Sequence, residues 1–145
     1  MAKTLIDVLS NASNVSHKGF TFLNDALEPD EWSFADLSRE ADRRARYFRS
    51  LGLKQGDRLA MIVPDGKDFV LSFVGAVRAG IVPVPMYPPL ALGKLDSYID
   101  TAGRILGAAG AKMLLTTKQV SPILWSLLSK VKTLKDIVLT EKVAK

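Results

Sequence analysis

Four apolar runs without polar alternation, separated by helical stripes, constrain this chain more than any other feature. The runs are Leu59-Ala60-Met61-Ile62-Val63, Ile81 to Met86, Lys112-Met113-Leu114-Leu115-Thr116 and Asp136-Ile137-Val138-Leu139-Thr140. A strand that lacks alternation is buried on both faces, and helical connections between successive strands force parallel crossovers. The connections supply such helices. Phe69, Val70, Phe73, Val74 and Val77 form one face closed by Gly80. Leu95, Tyr98, Ile99, Ala102, Ile105, Leu106 and Ala109 form another, ended near Gly110, and Val120, Ile123, Leu124, Leu127 and Leu128 mark a further helix. The predicted fold class is α/β, a parallel sheet covered by helices.

The part before Leu59 reads differently. Leu5, Val8, Leu9 and Ala12 predict a short opening helix. Phe20-Thr21-Phe22-Leu23 and Trp32-Ser33-Phe34 predict a small N-terminal β-hairpin around the loop-rich stretch from Asn24 to Asp30. Leu37, Ala41, Ala45, Phe48 and Leu51 draw one apolar stripe, with Ser33 or Asp36 as the cap and Gly52 as the terminator. Pro83 and Pro85 occupy alternate positions of a strand, so both missing N–H groups point to one side, which predicts a sheet edge or a bulge. The polar tail after Thr140 is expected to fray.

Composition excludes several functions. The chain has 145 residues and no cysteine, so there is no disulfide framework, thiolate metal site or cysteine nucleophile. The opening Met1-Ala2-Lys3-Thr4-Leu5-Ile6-Asp7 places an acid in its first apolar stretch and is not expected to be a signal peptide. No run approaches the roughly 20 apolar residues of a membrane span, and the expected location is cytoplasmic. The net charge of +5 gathers in Arg39, Arg43, Arg44, Arg46 and Arg49, and in Lys130, Lys132, Lys135, Lys142 and Lys145. The arginines fall on what reads as the solvated side of a helix, and neither set is interleaved with stacking aromatics. Nucleic acid is therefore not the expected partner.

Phosphate-binding loops are missing. Gly66-Lys67 has Met61 where a P-loop needs its first glycine, and Gly75 and Gly80 have the spacing but are followed by Ile81. Gly103, Gly107 and Gly110 miss the dinucleotide fingerprint and are read as sites of close helix packing. His17 has no second histidine to share a metal and is read as a surface residue. Asp65 follows the first parallel strand, where α/β proteins place ligand-binding groups, but Pro64-Asp65-Gly66 is also an adequate turn with a helix cap. Tyr87-Pro88-Pro89 forms a stiff elbow, either a structural corner or the wall of a binding site.

Three segments carry a family resemblance. Trp32-Ser33-Phe34-Ala35-Asp36-Leu37 resembles the first core motif of the acyl-adenylate-forming superfamily. Val77-Arg78-Ala79-Gly80-Ile81-Val82-Pro83-Val84-Pro85 resembles the second, and Gly56-Asp57-Arg58-Leu59-Ala60 resembles the lead into the strand between them. Gly19-Phe20-Thr21-Phe22-Leu23, Met86-Tyr87-Pro88-Pro89 and Ala111-Lys112-Met113-Leu114-Leu115-Thr116-Thr117 are similar to the fatty acyl-AMP ligase branch.

The resemblance implies that residues 1–145 form the N-terminal part of a large adenylation domain. The parent would use ATP and magnesium to activate a fatty acid as acyl-adenylate. The acceptor would be an acyl carrier protein or, in the neighbouring branch, CoA. A free-standing α/β binding module without catalysis is the alternative from another class. The family's phosphate loop, adenine and ribose contacts and catalytic lysine are expected beyond Lys145. The matched motifs are scaffold motifs, so no catalytic, cofactor-binding or metal residue is assigned and the chain alone is expected to be inactive. It is also expected to self-associate through Ile137-Val138-Leu139 and a helix patch of Ile123, Leu124, Leu127 and Leu128.

Overall fold

In the computed structural model, which describes residues 3–15, 17–89 and 94–145, the chain builds a four-stranded parallel sheet preceded by a helix and a hairpin. Met1 and Ala2 of the opening segment lie outside the described residues. Helix α1 (Leu5–Ala12) leads to an antiparallel pair, β1 (Gly19–Leu23) and β2 (Pro29–Ser33), with Phe20 opposite Trp32. The second strand starts at Pro29 rather than Trp32, and Phe34 opens the next helix. Asn24 explains the earlier start, because its side-chain oxygen accepts from the N–H groups of Ala26 and Glu28 and closes the turn early.

Helix α2 (Phe34–Ser50) uses both predicted capping residues at once. Ser33 accepts from the Asp36 N–H, and the Asp36 carboxylate accepts from the Ser33 N–H. Then follow β3 (Arg58–Ile62), α3 (Gly66–Arg78), β4 (Val82–Pro85), α4 (Leu95–Ala109) and β5 (Ala111–Thr116). The next segment is two short helices, α5 (Ser121–Leu124) and α6 (Leu127–Lys130), rather than one. At the junction the hydrogen bonds tighten to three-residue steps, Leu128 N–H to Trp125 O and Ser129 N–H to Ser126 O. Strand β6 (Asp136–Leu139) and α7 (Thr140–Val143) complete the chain. The expected frayed tail is ordered instead: Val143 is fully buried, and Glu141 accepts from the Lys118 N–H.

The strand order is β4-β3-β5-β6, all parallel. Side chains alternate between two cores, which explains the continuous apolar runs. Leu59, Met61, Ile81, Met113, Leu115 and Val138 face Ala45 and Phe48 of α2, Ala76 of α3 and Val143 of α7. Ala60, Ile62, Leu114 and Ile137 face Ile99, Ala102 and Leu106 of α4, with Leu124 and Leu127. The helix patch expected to drive self-association is thus largely interior: Leu124 and Leu127 are fully buried and Ile123 and Leu128 half-buried, while Trp125 is the exposed residue.

Strand β4 lies at an edge. Val82 N–H donates to Asp57 O at 2.8 Å and Met86 N–H to Met61 O at 2.9 Å. Pro83, between them in the alternation, and Pro85 therefore turn their missing donors outward.

One arginine of α2 departs from the solvated reading. Arg44 is 2% exposed. Its guanidinium donates to Glu40 Oε1 at 2.7 Å, to the buried Ser72 Oγ at 2.7 Å and to Asp68 Oδ1 at 3.3 Å, clasping α2 to α3. The close approach of these helices is at Gly75, where a Cβ would lie 2.6 Å from Arg44 Cβ. Gly103 has only ordinary contact distances and Gly107 has open space around it, so neither is a close-packing glycine.

Candidate functional site

The two ends of the sheet hold different kinds of residue. At the amino ends of the strands lie residues of two of the motif segments, Gly56–Ala60 and Val77–Pro85. Gly56 has φ +82° and donates its N–H to Gly80 O at 2.8 Å, and Gly80 has φ +74°. Asp57 accepts from the Lys54 N–H at 2.7 Å and from the Lys112 ammonium at 2.8 Å. These contacts, the ammonium first, hold its carboxyl below the usual carboxylate range. Arg58 Nε donates to Ala109 O at 2.7 Å and so satisfies a carbonyl at the end of α4. Arg78 reaches Ser10 Oγ, Ser38 Oγ and Asp42 Oδ1, joining α1, α2 and α3. Each of these contacts holds the scaffold together.

At the carboxyl ends the order β4-β3-β5-β6 places a topological switch between β3 and β5, the position where open α/β sheets bind ligands. Asp65, weighed as a ligand group, accepts from the Asp68 N–H at 2.7 Å and caps α3. Lys67 pairs with Asp30 and lies 4.7 Å from the Trp32 ring, tying the hairpin to the first turn of α3. Thr116 Oγ1 donates to Ile62 O at 2.8 Å inside the sheet. Burial is the largest single influence on the Glu141 carboxyl and raises its pKa, but the Lys118 N–H, its own N–H, the Thr140 hydroxyl and the Lys118 charge together outweigh it, and the pKa is lowered. No group of three His, Cys, Asp or Glu suited to a metal ion occurs among the described residues.

The concave feature at this end is an apolar groove between the elbow and α4. Two adjoining cavities of about 350 and 330 Å³ share Tyr87, Tyr98 and Thr101. The Tyr98 hydroxyl donates to Tyr87 O at 2.7 Å and pins the elbow to the helix. Burial pushes the Tyr98 phenol up to about 12. Tyr87 itself is 85% exposed. The elbow is thus a structural corner, and it lines one side of this groove. The spacing of Tyr98 places it on the apolar stripe of α4, and nothing in that spacing marks its hydroxyl as a latch. A wider furrow of about 650 Å³ opens on the hairpin beside the exposed His17.

A profile described as "AMP-binding enzyme" matches residues 11–144. The chain belongs to the AMP-binding enzyme family. A putative acyl-CoA synthetase of Caulobacter vibrioides is 34% identical over 82 residues, which is 57% of this chain and 14% of that protein. Crotonobetaine/carnitine–CoA ligase of Salmonella paratyphi A is 30% identical over 93 residues, 64% of this chain and 17% of the relative. Among solved structures, one from work on fatty acyl-adenylate ligases of E. coli and L. pneumophila superposes with a TM-score of 0.87 at 25% identity, covering 97% of this chain and 25% of that one. The fold is therefore the first part of the adenylate-forming architecture. The chain spans about a quarter of that solved relative and a smaller share of the curated ones.

Proposed function

We propose that this chain is the scaffold portion of an ATP-dependent, AMP-forming ligase that activates a fatty acid as acyl-adenylate and hands it to an acyl carrier protein, in the cytoplasm. The observation that carries the reading is the 97% structural coverage by a fatty acyl-adenylate ligase study's structure, at a TM-score of 0.87. The elbow Met86-Tyr87-Pro88-Pro89 supports the same branch. The residues present do not fit an ATP–magnesium site: there is no phosphate-cradling loop in the sequence and no candidate metal cluster among the described residues. Nucleotide and metal are accordingly assigned to the part of the longer relatives outside the matched quarter. This chain's part is to hold the sheet on which such a site is built.

A second reading has its own support, since the two curated relatives described above are a putative acyl-CoA synthetase and a CoA ligase. The test is fatty-acid-dependent pyrophosphate exchange by a polypeptide that continues this chain to the length of its relatives. Exchange with accumulated acyl-AMP in the presence of CoA supports the carrier-protein reading. Efficient acyl-CoA formation selects the second, and absence of exchange returns the chain to a non-catalytic module. The 145-residue chain alone is expected to give blank titrations with magnesium-ATP. It is also proposed to self-associate along β6, and a strictly monomeric state across a light-scattering concentration series would remove that proposal.

A further inference from the structure

We infer that the outer edge of β1 is an interface at which two copies of this chain pair antiparallel about a two-fold axis at Thr21, joining their hairpins into one sheet. This interface is separate from β6, and nothing in it depends on the ligase reading. The main-chain bonds of the hairpin show which groups are free. Phe34 N–H donates to Lys18 O at 2.9 Å and Asn24 N–H to Glu28 O at 3.3 Å. With Phe20 opposite Trp32 and Phe22 opposite Asp30, the even-numbered residues of β1 aim their N–H and C=O groups at β2. Gly19, Thr21 and Leu23 therefore turn theirs outward. All three are exposed, and no strand pairs with this edge among the described residues.

The ties that hold the hairpin to the body run chiefly through β2. Trp32 packs with Leu37, Ala41, Leu71 and Val74, and Asp30 pairs with Lys67. No residue of β1 belongs to a core cluster among the described residues. The outer edge of β2 is the poorer template, because Pro29 has no N–H to give a further strand. A hairpin of two strands alone is marginal in water, and a third strand on β1 would complete it.

The edge is complementary to itself. Its outward residues are symmetric about Thr21, so Thr21 meets the second copy's Thr21 and Gly19 meets the second copy's Leu23 at either end. Every outward N–H then finds an outward C=O. The side chains fit the same register. Leu23, 61% exposed, lies across from a residue without a side chain, and Gly19 cannot gain one because a Cβ would run into the Trp32 carbonyl. Phe20 and Phe22 stack with ring centroids 5.8 Å apart. Pairing sets Phe20, 42% exposed, directly opposite the second copy's Phe22. The strand itself carries no charge to meet its like. Just beyond it, Lys18 comes opposite the second copy's Asn24, whose amide holds the Glu28 carboxylate at 2.7 Å. A cation thus faces an anion at each end, and an uncharged, self-matching edge between them selects a second copy of this chain.

The test is residue-resolved amide hydrogen exchange, read by NMR over a concentration series of the 145-residue chain. So small an interface predicts a weak dimer, with a Kd on the order of 0.1–1 mM. Exchange at Thr21 and Leu23 should slow about two- to fivefold as the chain is concentrated to about 1 mM. The Phe20 and Phe22 amides, bonded to β2, should stay protected at every concentration. Thr21→Lys and Thr21→Glu each set like charges across the two-fold axis and should weaken pairing about fivefold. Mixed in equal amounts, the two variants set opposite charges there and should recover at least the wild-type protection, a result that requires pairing at this residue. Exchange at Thr21 and Leu23 that is independent of concentration overturns the inference. So does a mixture no better protected than either variant alone. In a polypeptide continued to the length of its relatives, protection of these two amides at every dilution would assign the edge to a strand of the continuation, and the two-copy interface would fall.

Discussion

The amino and carboxyl ends of the parallel sheet are made of the same strands, yet they are stabilised in different ways. At the amino end Gly56, Asp57, Arg58, Gly80 and Lys112 are held by bonds to main-chain groups and by the Asp57–Lys112 ion pair, and two of them adopt positive φ. At the carboxyl end Asp65 caps its own helix locally, Glu141 reaches back to the Lys118 N–H, and the elbow is held through one phenol. Two of the family motif segments, Gly56–Ala60 and Val77–Pro85, meet at the first end through Gly56 and Gly80, whereas the third, Trp32–Leu37, has Trp32 beside Lys67 at the first turn of α3. The carboxyl end is where open α/β sheets bind ligands.

The sharpest break in this contrast is Gly80→Val. A β-branched residue at φ +74° beside Gln55 should cost about 2–3 kcal/mol, read as a lower urea midpoint with an unchanged m-value. A cost below about 0.5 kcal/mol would show the amino end to be as tolerant as the elbow. Asp57→Ala comes next, with a loss of about 1–2 kcal/mol at pH 7. Because the folded carboxyl titrates below its unfolded value, the Asp57 contribution is present above about pH 4 and disappears as the pH falls. Wild type and Asp57→Ala should therefore converge in stability in acid.

Smaller effects belong to the elbow. Tyr98→Phe should cost about 1 kcal/mol at neutral pH through loss of the bond to Tyr87 O. The Tyr98 pKa is raised by folding, so its stabilisation is complete below about pH 10 and is lost as the pH climbs toward 12. The phenylalanine variant should lack that alkaline decline, which denaturation curves between pH 9 and 12 can read, taken as roughly the tyrosine range. Smallest is Tyr87→Ala, within about 0.5 kcal/mol because the side chain is exposed. A larger loss would mean that the elbow closes on the protein as tightly as the amino end does.

Most of the sheet was legible because its strands are buried on both sides, a condition that shows as unbroken runs such as Leu59 to Val63. What escaped depends on contacts distant in sequence. Arg44 stands three residues after Ala41 and four before Phe48, so spacing alone placed it on the apolar stripe, but its charge suggested solvent. Only the arrival of Ser72 and Asp68 on α3 allows it to be buried. The break between α5 and α6 keeps its apolar residues on one side, so the periodicity carries across it unmarked. A single apolar residue, Val143, anchors a tail whose composition is otherwise polar. The groove was half visible: the prolines marked a stiff corner, but the facing wall of α4 required the crossover to bring it there.

The alternation of Pro83 and Pro85 gives the sheet a direction in which it can grow. A strand approaching β4 from outside meets carbonyl acceptors at these two positions and no donors, so half of any new ladder is missing. On the opposite margin β6 contains no proline and is paired only with β5 among the described residues. Among the described residues, the margin of this sheet that offers both donors and acceptors to a further strand is therefore β6, while the margin beside the elbow offers acceptors alone at Pro83 and Pro85.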